Sequence, residues 1–167
     1  MLNLIIKIEC LGQYEQPIII HKFRSMYLNS DRDFSDVSSR HGLDSLGKII
    51  NDPRITPIGK IMRRYFIDEL PQFYDLNRGV ISLVGIRPKT LDYWKKYPVD
   101  HMKRALKFKP GLFGVHYYYN NLRDSQDFLQ TEQEYLSRKE RENPERLDRE
   151  YLRGILKNIF FKGLRSR

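Results

Sequence analysis

The apolar residues of this sequence occur in short pieces, and this spacing limits the chain to a fold built from short elements around a shared core. Runs such as residues 4–6 and 18–20 hold three apolar residues each, whereas a helix that spans a bilayer needs about 20. A chain of 167 residues with 40% hydrophobic content can bury a core without disulfides or a structural metal. The pattern predicts one globular domain over residues 1–167, without a membrane-spanning segment or a secretory signal.

The cysteine and histidine content excludes two ways of stabilising a small domain. Cys10 is the single cysteine, so no internal disulfide can form. The four histidines are scattered singly, and none stands at zinc-ligand spacing from a partner. A lone thiol is typical of a reducing compartment, and we therefore expect the domain to lie in the cytosol.

Positive charge is concentrated in the middle and at the end of the chain. Of 30 basic and 21 acidic residues, thirteen basic and six acidic ones lie between positions 51 and 109. Residues 151–167, the basic-aromatic tail, contain five basic and no acidic residues beside Phe160 and Phe161. This charge favours an anionic partner, and nucleic acid, phosphorylated small molecules and an anionic membrane surface all fit it.

The first half of the chain combines two strands, a polar stretch and one helix. Residues 3–8 and 18–22 are strand-like pieces around a turn, which predicts a β-hairpin. Residues 29–51 hold few apolar residues and predict a long loop. A helix begins at Thr56-Pro57, with threonine as N-cap and proline in the first turn. Its apolar face consists of Ile58, Ile61, Met62, Tyr65 and Phe66, and its charged face of Lys60, Arg63 and Arg64.

The second half of the chain is mostly helical. Residues 80–84 form a branched apolar run that is typical of a buried strand. The pattern then predicts helices over residues 90–97, 98–108, 125–142 and 144–161. The spacing within the last helix places Leu147, Tyr151, Ile155 and Ile159 on one face. The sequence therefore predicts an α+β fold, a helix-rich single domain with a small N-terminal β-hairpin, short strands and irregular loops.

Asp68 and Glu69 form an acid pair in a basic, mostly apolar neighbourhood. Arg63 and Arg64 precede the pair, and Pro71 places it near a helix boundary. A carboxylate in such surroundings can act as a nucleophile toward phosphorus, and its neighbour can share a divalent cation. A solvated helix cap is the alternative for an isolated acid doublet.

Two further segments present cations that can hold an anion. Lys22 and Arg24, in KFRSM at residues 22–26, alternate with apolar residues at strand spacing and would point to one face. Arg87, in GIRP at residues 85–88, stands at a strand end, from which a guanidinium can hold a phosphate through two hydrogen bonds. An ordinary amphipathic strand and a surface arginine are the alternatives. Residues 117–119 are three tyrosines that can stack on a base, although packing is the favoured interpretation.

Five segments, taken in order, resemble the motif series of the bacterial sugar transferases, the monotopic polyprenyl-phosphate phosphoglycosyl transferases. They are KFRSM at residues 22–26, DPRITPIG at 52–59, IDELPQ at 67–72, SLVGIRP at 82–88 and PGLFG at 110–114. The resemblance covers about residues 9–115 well and the C-terminal helices loosely. Five motifs in one order are far more specific than any one of them.

The resemblance implies a two-step reaction that begins bacterial glycan assembly, such as that of exopolysaccharide or lipopolysaccharide. Asp68 would attack the sugar-bearing phosphorus of a nucleotide sugar, usually a UDP-sugar, and expel UMP. A polyprenyl phosphate such as undecaprenyl phosphate would then accept the phosphosugar. The implied catalytic residues are Asp68 and Glu69, which would also bind Mg²⁺, and the implied substrate-binding residues are Lys22, Arg24, Arg54 and Arg87.

The sequence also departs from the family pattern. The apolar re-entrant helix that precedes the catalytic domain in relatives has no counterpart here, Ile86 replaces a proline, and residues 115–118 replace the usual Trp and Gln. We therefore expect peripheral attachment at the inner face of the cell membrane, through the basic surface, the basic-aromatic tail or a membrane-embedded partner. The alternative function is an impaired nucleotide-sugar-binding or scaffolding module, and specific nucleic-acid binding is not expected.

Overall fold

Two antiparallel strands begin the fold and form the predicted hairpin. The computed structural model describes residues 4–30, 34–42, 49–119, 122 and 124–161. Strand β1 is Ile5–Leu11 and strand β2 is Pro17–Phe23, with Ile8 opposite Ile20. Strand β1 begins two residues later and ends three residues later than the sequence predicts, and β2 is one residue longer at each end. Arg24 lies just beyond β2, and the shared direction of the Lys22 and Arg24 side chains stays a prediction.

A helix, α1 (Phe34–His41), lies inside the stretch that the sequence predicts as a loop. Contacts within the helix stabilise α1. The hydrophobic pattern of the sequence did not predict α1, because it contains few apolar residues. Arg40 pairs with Asp36 one turn earlier at 3.0 Å, and such pairs stabilise a helix without any packing. The prediction of a loop over residues 29–51 is therefore wrong for α1, and positions 31–33 and 43–48 lie outside the described residues.

The helix predicted after Thr56 is α2 (Pro57–Arg64). The Thr56 hydroxyl accepts a hydrogen bond from the Gly59 amide at 2.9 Å, and proline occupies the first turn, as predicted. Gly59 is required there, because a Cβ atom would lie 1.9 Å from the Ser25 carbonyl oxygen. Glycine thus lets α2 approach the residues that follow β2.

A left-handed residue turns the chain from α2 into the acid pair. Phe66 has a φ of 60°, which is uncommon for a bulky side chain. The 3-10 turn Ile67–Glu69 and helix α3 (Gln72–Asn77) follow. Asp68 and Glu69 therefore lie at a helix boundary, as predicted, but the sequence did not predict α3. Leu70 itself keeps helical angles of φ −54° and ψ −37°.

A second pair of strands, this one parallel, lies at the centre of the fold. Strand β3 is Ser82–Gly85 and strand β4 is Gly111–Gly114, with Val84 opposite Phe113. The sequence did not predict β4, because two of its four residues are glycines and strands disfavour glycine. The connection contains α4 (Leu91–Trp94) and α5 (Val99–Ala105), and the fold ends with α6 (Ser125–Lys139) and α7 (Pro144–Phe161).

The main core lies between β3 and the C-terminal helices. Leu147, Tyr151 and Ile155 of α7 are fully buried, as their spacing predicts, and belong to one cluster with Val84 and Trp94. The α+β fold class is confirmed. Among the described residues, no helix combines the length and the apolar character needed to cross a membrane.

A buried lysine connects the hairpin to the C-terminal helices. The amide of Leu11 donates to the carbonyl of Lys89 at 3.0 Å. The Lys89 ammonium donates to Glu132 of α6 at 2.7 Å, and the other Glu132 oxygen lies 2.8 Å from Nε2 of His101. The segment that carries Arg87, two residues earlier, is therefore anchored to both halves of the fold.

Helices α2 and α3 turn their apolar sides away from the protein interior. Ile58 is 71% exposed and Phe73 51% exposed, while Gln72 and Asp75 are fully buried. We define the outer apolar face as Ile58, Ile61, Tyr65, Ile67, Leu70, Phe73 and Tyr74, all of them exposed. The apolar residues predicted on α2 are thus present, but the helix is rotated about its axis from the usual arrangement: Gly59, Met62 and Arg63 lie inward, whereas Lys60 and Arg64 are exposed.

Candidate active site

The acid pair lies in the interior of the protein. Asp68 is 6% and Glu69 7% exposed, which excludes the alternative of a solvated helix cap. Strand β2 lies beside the 3-10 turn and brings Lys22 to the pair, whereas Arg87 comes from the end of β3. Elements that are distant in sequence therefore meet around these two carboxylates.

Glu69 is held by cations through both of its oxygens. Arg87 donates Nη1 to Oε2 at 2.7 Å and Nη2 to Oε1, and Lys22 Nζ lies 3.5 Å from Oε1. Although burial opposes ionisation, Arg87 and then Lys22 hold the pKa of Glu69 below its ordinary value. Glu69 is therefore an ionised anchor for Arg87, whose guanidinium also donates to the carbonyl of Leu112.

Asp68 has a different environment from its neighbour. Burial raises the pKa of this carboxyl above its ordinary value, an effect that Lys22 and Arg63 oppose and that the charge of Glu69 reinforces. Its Oδ1 atom is buried without a hydrogen-bond partner in the described part of the chain. A buried carboxylate that keeps an oxygen available is suited to nucleophilic attack or to a cation.

Arg63 is a site residue that sequence reasoning missed, because the pattern put it on the solvent side of α2. Because α2 is rotated about its axis, Arg63 is half-buried, and its Nε donates to the Ser25 hydroxyl at 2.9 Å. Burial lowers the pKa of Arg63, which the charge of Asp68 opposes. The available signal was the apolar side of α2. Because Ile58 and Ile61 on that side are exposed, Arg63 lies on the side that meets the acid pair.

Lys22 interacts electrostatically with both acids. Burial and then Arg87 lower its pKa, while Glu69 and Asp68 act in the opposite direction. Lys22, Arg63 and Arg87 together outnumber the two carboxylates, so the cluster carries an excess of positive charge. Such a cluster is complementary to phosphate groups.

The other two arginines assigned from the motifs lie differently. Arg54 donates Nε and Nη2 to Asp52 at 2.9 and 2.8 Å, and Nη1 to the Ser30 carbonyl at 2.9 Å. These contacts fix the segment before α2. Arg24 is half-buried just beyond β2, and its amide donates to the Leu4 carbonyl at 2.7 Å.

The three consecutive tyrosines contribute to packing, the interpretation that the sequence favoured. Tyr118 stacks on Tyr151 at 4.5 Å, and the Tyr119 hydroxyl lies 3.1 Å from that of Tyr151. Tyr117 packs edge-on against Phe66 at 5.4 Å. Two of the three therefore fasten α7 to the turn after β4.

The acid pair supplies the carboxylate oxygens that a divalent cation needs. Mg²⁺ is usually held by one or two carboxylates together with substrate phosphates and waters. The unpartnered Oδ1 of Asp68 fits that role. Both oxygens of Glu69 accept hydrogen bonds from Arg87, but a carboxylate oxygen so bound keeps a lone pair, and Glu69 as the second ligand stays a prediction. Within the described ranges, no group of three His, Cys, Asp or Glu side chains forms a metal site.

Comparison with known proteins relates the sequence that forms this site to a family. The sequence profile of the family described as "Bacterial sugar transferase" matches residues 2–152. The Streptococcus agalactiae protein named galactosyl transferase CpsE is 40% identical over 130 residues, which are 76% of this chain and 29% of that protein.

Two enterobacterial proteins are also similar. The Salmonella typhimurium undecaprenyl-phosphate galactose phosphotransferase is 36% identical over 110 residues, covering 63% of this chain and 23% of that protein. The Escherichia coli UDP-glucose:undecaprenyl-phosphate glucose-1-phosphate transferase is 33% identical over 106 residues, covering 62% and 20%. The chain thus spans less than a third of the length of these relatives.

Proposed function

The chain belongs to the bacterial sugar transferase family, and on this basis we propose that it transfers a sugar 1-phosphate from a nucleoside diphosphate sugar to a polyprenyl phosphate, initiating glycan assembly. The observation that carries the proposal is the buried Asp68 carboxylate, which keeps one oxygen unpartnered beside Lys22 and Arg63. The proposed donor is a UDP-sugar, as in the name of the Escherichia coli relative.

The proposed reaction has two phosphoryl-transfer steps. In the first, an oxygen of Asp68 forms a bond to the sugar-bearing phosphorus, and the bond from that phosphorus to the oxygen of the nucleoside monophosphate breaks. In the second, an oxygen of the polyprenyl phosphate attacks the same phosphorus and releases the Asp68 carboxylate. The product is a lipid diphosphate sugar.

The cations of the site have distinct roles in this proposal. Lys22 and Arg63 neutralise the phosphate oxygens, since phosphoryl transfer depends mainly on positioning and charge stabilisation. Arg87, fixed by Glu69, holds the end of β3 and adds to the positive potential. Mg²⁺, when bound to Asp68 and the diphosphate, would supply further charge neutralisation.

The same proposal includes a contact with the membrane surface, since a polyprenyl acceptor is embedded in lipid. Helix α3 buries its polar residues Gln72 and Asp75, and α2 turns Arg63 inward, so the outer apolar face lies on the exposed side of both helices. Exposed cations flank this face: Arg64 lies 5.8 Å from the Tyr65 ring and Arg78 5.4 Å from the Tyr74 ring. Aromatic and basic residues together favour the interface of an anionic bilayer.

We therefore propose the outer apolar face as a docking surface, and attachment through the basic-aromatic tail stays a prediction. Phe160 and Phe161 are exposed at the end of α7, but positions 162–167, with three of the five tail cations, lie outside the described residues. Each basic residue near an anionic surface contributes about 1 kcal/mol. The proposed location is peripheral, at the inner face of the cell membrane.

The experiment that tests the chemistry is UMP release from a panel of UDP-sugars with Mg²⁺ and no lipid, at high protein concentration. We expect up to about one UMP per protein and an added phosphosugar mass on the native chain. Asp68→Asn removes both, and Asp92→Asn, at an exposed aspartate, retains them. UDP-sugar binding without release or adduct would support the alternative of a binding module, and polyprenyl phosphate then tests the second step.

A further inference from the structure

Gln72 has a buried carboxamide that the proposed chemistry does not use. Its side chain is fully buried, and neither Oε1 nor Nε2 has a hydrogen-bond partner within the described ranges. Buried amides are almost always paired, because an unpaired one loses its hydrogen bonds to water without replacement. A fully buried, unpaired amide beside a candidate nucleophile calls for a functional explanation.

Gln72 stands one helical turn after Asp68. The backbone between them stays helical, with φ and ψ of −54° and −37° at Leu70 and −60° and −19° at Pro71. The amides of this segment bond to carbonyls three residues back, as Leu70 N does to Ile67 O, so the two side chains do not stack as in an α-helix. Both are nevertheless buried on one short stretch of chain, and a hydrogen bond between them requires a change of side-chain rotamer. Asp68 Oδ1 lacks a donor and Gln72 Nε2 lacks an acceptor. The two unpaired groups are thus complementary.

We propose that Gln72 is a positioning residue whose Nε2 donates a hydrogen bond to Oδ1 of Asp68 during the reaction, and thereby directs Oδ2 to the phosphorus. This inference rests on the proposed function. Lys22 and Arg63 stabilise the Asp68 charge in the structure described here. When a phosphate group enters the site, these cations turn to its oxygens, and Gln72 supplies the donor that Asp68 then needs.

The test compares Gln72→Met with Asn77→Met. The first replaces the amide with a side chain of similar length that cannot donate, and the second makes the same change at an exposed position of α3. Single-turnover adduct formation is measured over a range of UDP-sugar concentrations and pH. We expect the maximal rate of Gln72→Met to fall about 100-fold, as for a misplaced catalytic group, with half-saturation changed less than about twofold.

The pH profile separates positioning from a purely structural effect. A hydrogen bond to the ionised carboxylate favours ionisation, so the acid limb of Gln72→Met should move to higher pH, while Asn77→Met follows the native profile. An unchanged maximal rate, or a weaker half-saturation at an unchanged rate, would overturn the inference. If Gln72→Met does not fold, Gln72→Asn, which keeps the amide but shortens its reach, serves the same comparison.

The outcome for Asp68→Asn distinguishes the two proposals. If Asp68→Asn still releases UMP and forms the adduct, the proposed nucleophile is wrong and the role of Gln72 fails with it. If Asp68→Asn is inactive while Gln72→Met reacts like the native chain, only the positioning role fails.

Discussion

The guanidinium of Arg87 holds both carboxylate oxygens of Glu69 and also donates to the carbonyl of Leu112. One side chain therefore joins the 3-10 turn of the acid pair to β3, which it follows, and to β4. All of these groups are buried or half-buried. The stability of the arrangement therefore depends on the pairing of the Arg87 charge with the Glu69 charge.

Loss of Arg87 should destabilise the fold strongly. Arg87→Met leaves the Glu69 carboxylate buried without its partner, and the free energy of unfolding should fall by about 3–5 kcal/mol in urea denaturation. Arg104→Met, which breaks the partly exposed pair of Arg104 with Glu140 at 2.8 Å, should cost less than about 1 kcal/mol. Equal losses in the two variants would show that burial of the Glu69 pair is unimportant.

Asp68→Asn should abolish adduct formation and yet raise the melting temperature at pH 7. Burial raises the pKa of Asp68 in the fold, so the folded protein binds this proton more tightly than the unfolded chain does. Ionisation therefore costs stability above the folded pKa, and a neutral amide removes that cost. The gain in Tm should shrink as the pH is lowered toward 4, and an equal gain at all pH values would contradict this origin.

The rate of adduct formation should fall as the pH is lowered, and the midpoint of this fall should lie above the ordinary pKa of aspartate. The nucleophile must be ionised, and the pKa of Asp68 is raised by burial whereas that of Glu69 is lowered by Arg87 and Lys22. Opposite shifts in two neighbouring carboxyls separate their roles. Single-turnover rates between pH 4 and 8 test this, and an acid limb at or below about 3.9 would refute it.

A charge on the outer apolar face should weaken membrane binding without affecting the first chemical step. Leu70→Glu and Phe73→Glu should each reduce co-sedimentation with vesicles of anionic phospholipid about tenfold or more, because a large apolar contact is lost. Leu91→Glu, at an exposed leucine of α4, is the matched control. If only replacement of Lys162, Arg165 and Arg167 reduces binding, the basic-aromatic tail is the docking segment.

Gly59→Ala should destabilise the protein, although alanine is normally the better helix former. The added Cβ would meet the Ser25 carbonyl oxygen, so α2 must shift and carry Arg63 with it. Overpacking of this kind costs about 1–3 kcal/mol, which urea denaturation can measure. A variant as stable as the native chain would mean that α2 does not depend on this close approach.

Much of the fold follows from local sequence patterns. Thr56-Pro57 predicts the start of α2 because a cap and a first-turn proline act locally, and the spacing of Leu147, Tyr151 and Ile155 predicts the buried face of α7. Strand β4 escaped prediction because a glycine-rich strand depends on its partner β3 and not on its own preferences. Helix α1 escaped because its stabilising charge pair lies in a polar stretch.

The sequence predicted both acidic residues of the site but not all of its basic residues. The ordered motifs identify Asp68, Glu69, Lys22 and Arg87, which the fold brings together. Arg63 and Gln72 were missed, since a helix pattern does not say which of its sides meets water, and tertiary contacts set the rotation of α2 and the burial of the polar side of α3. Arg54 follows a motif as well, but its guanidinium binds Asp52 and the Ser30 carbonyl.

The buried position of Lys89 has a consequence for how the domain unfolds. Its carbonyl receives the Leu11 amide and its ammonium binds Glu132 of α6, so strand β1 and helix α6 are attached to one residue, through its backbone and its side chain. We expect the hairpin and the final helices to unfold as a single cooperative unit. Hydrogen exchange at the Leu11 amide should proceed only through global unfolding, at the same free energy as the amides of α7.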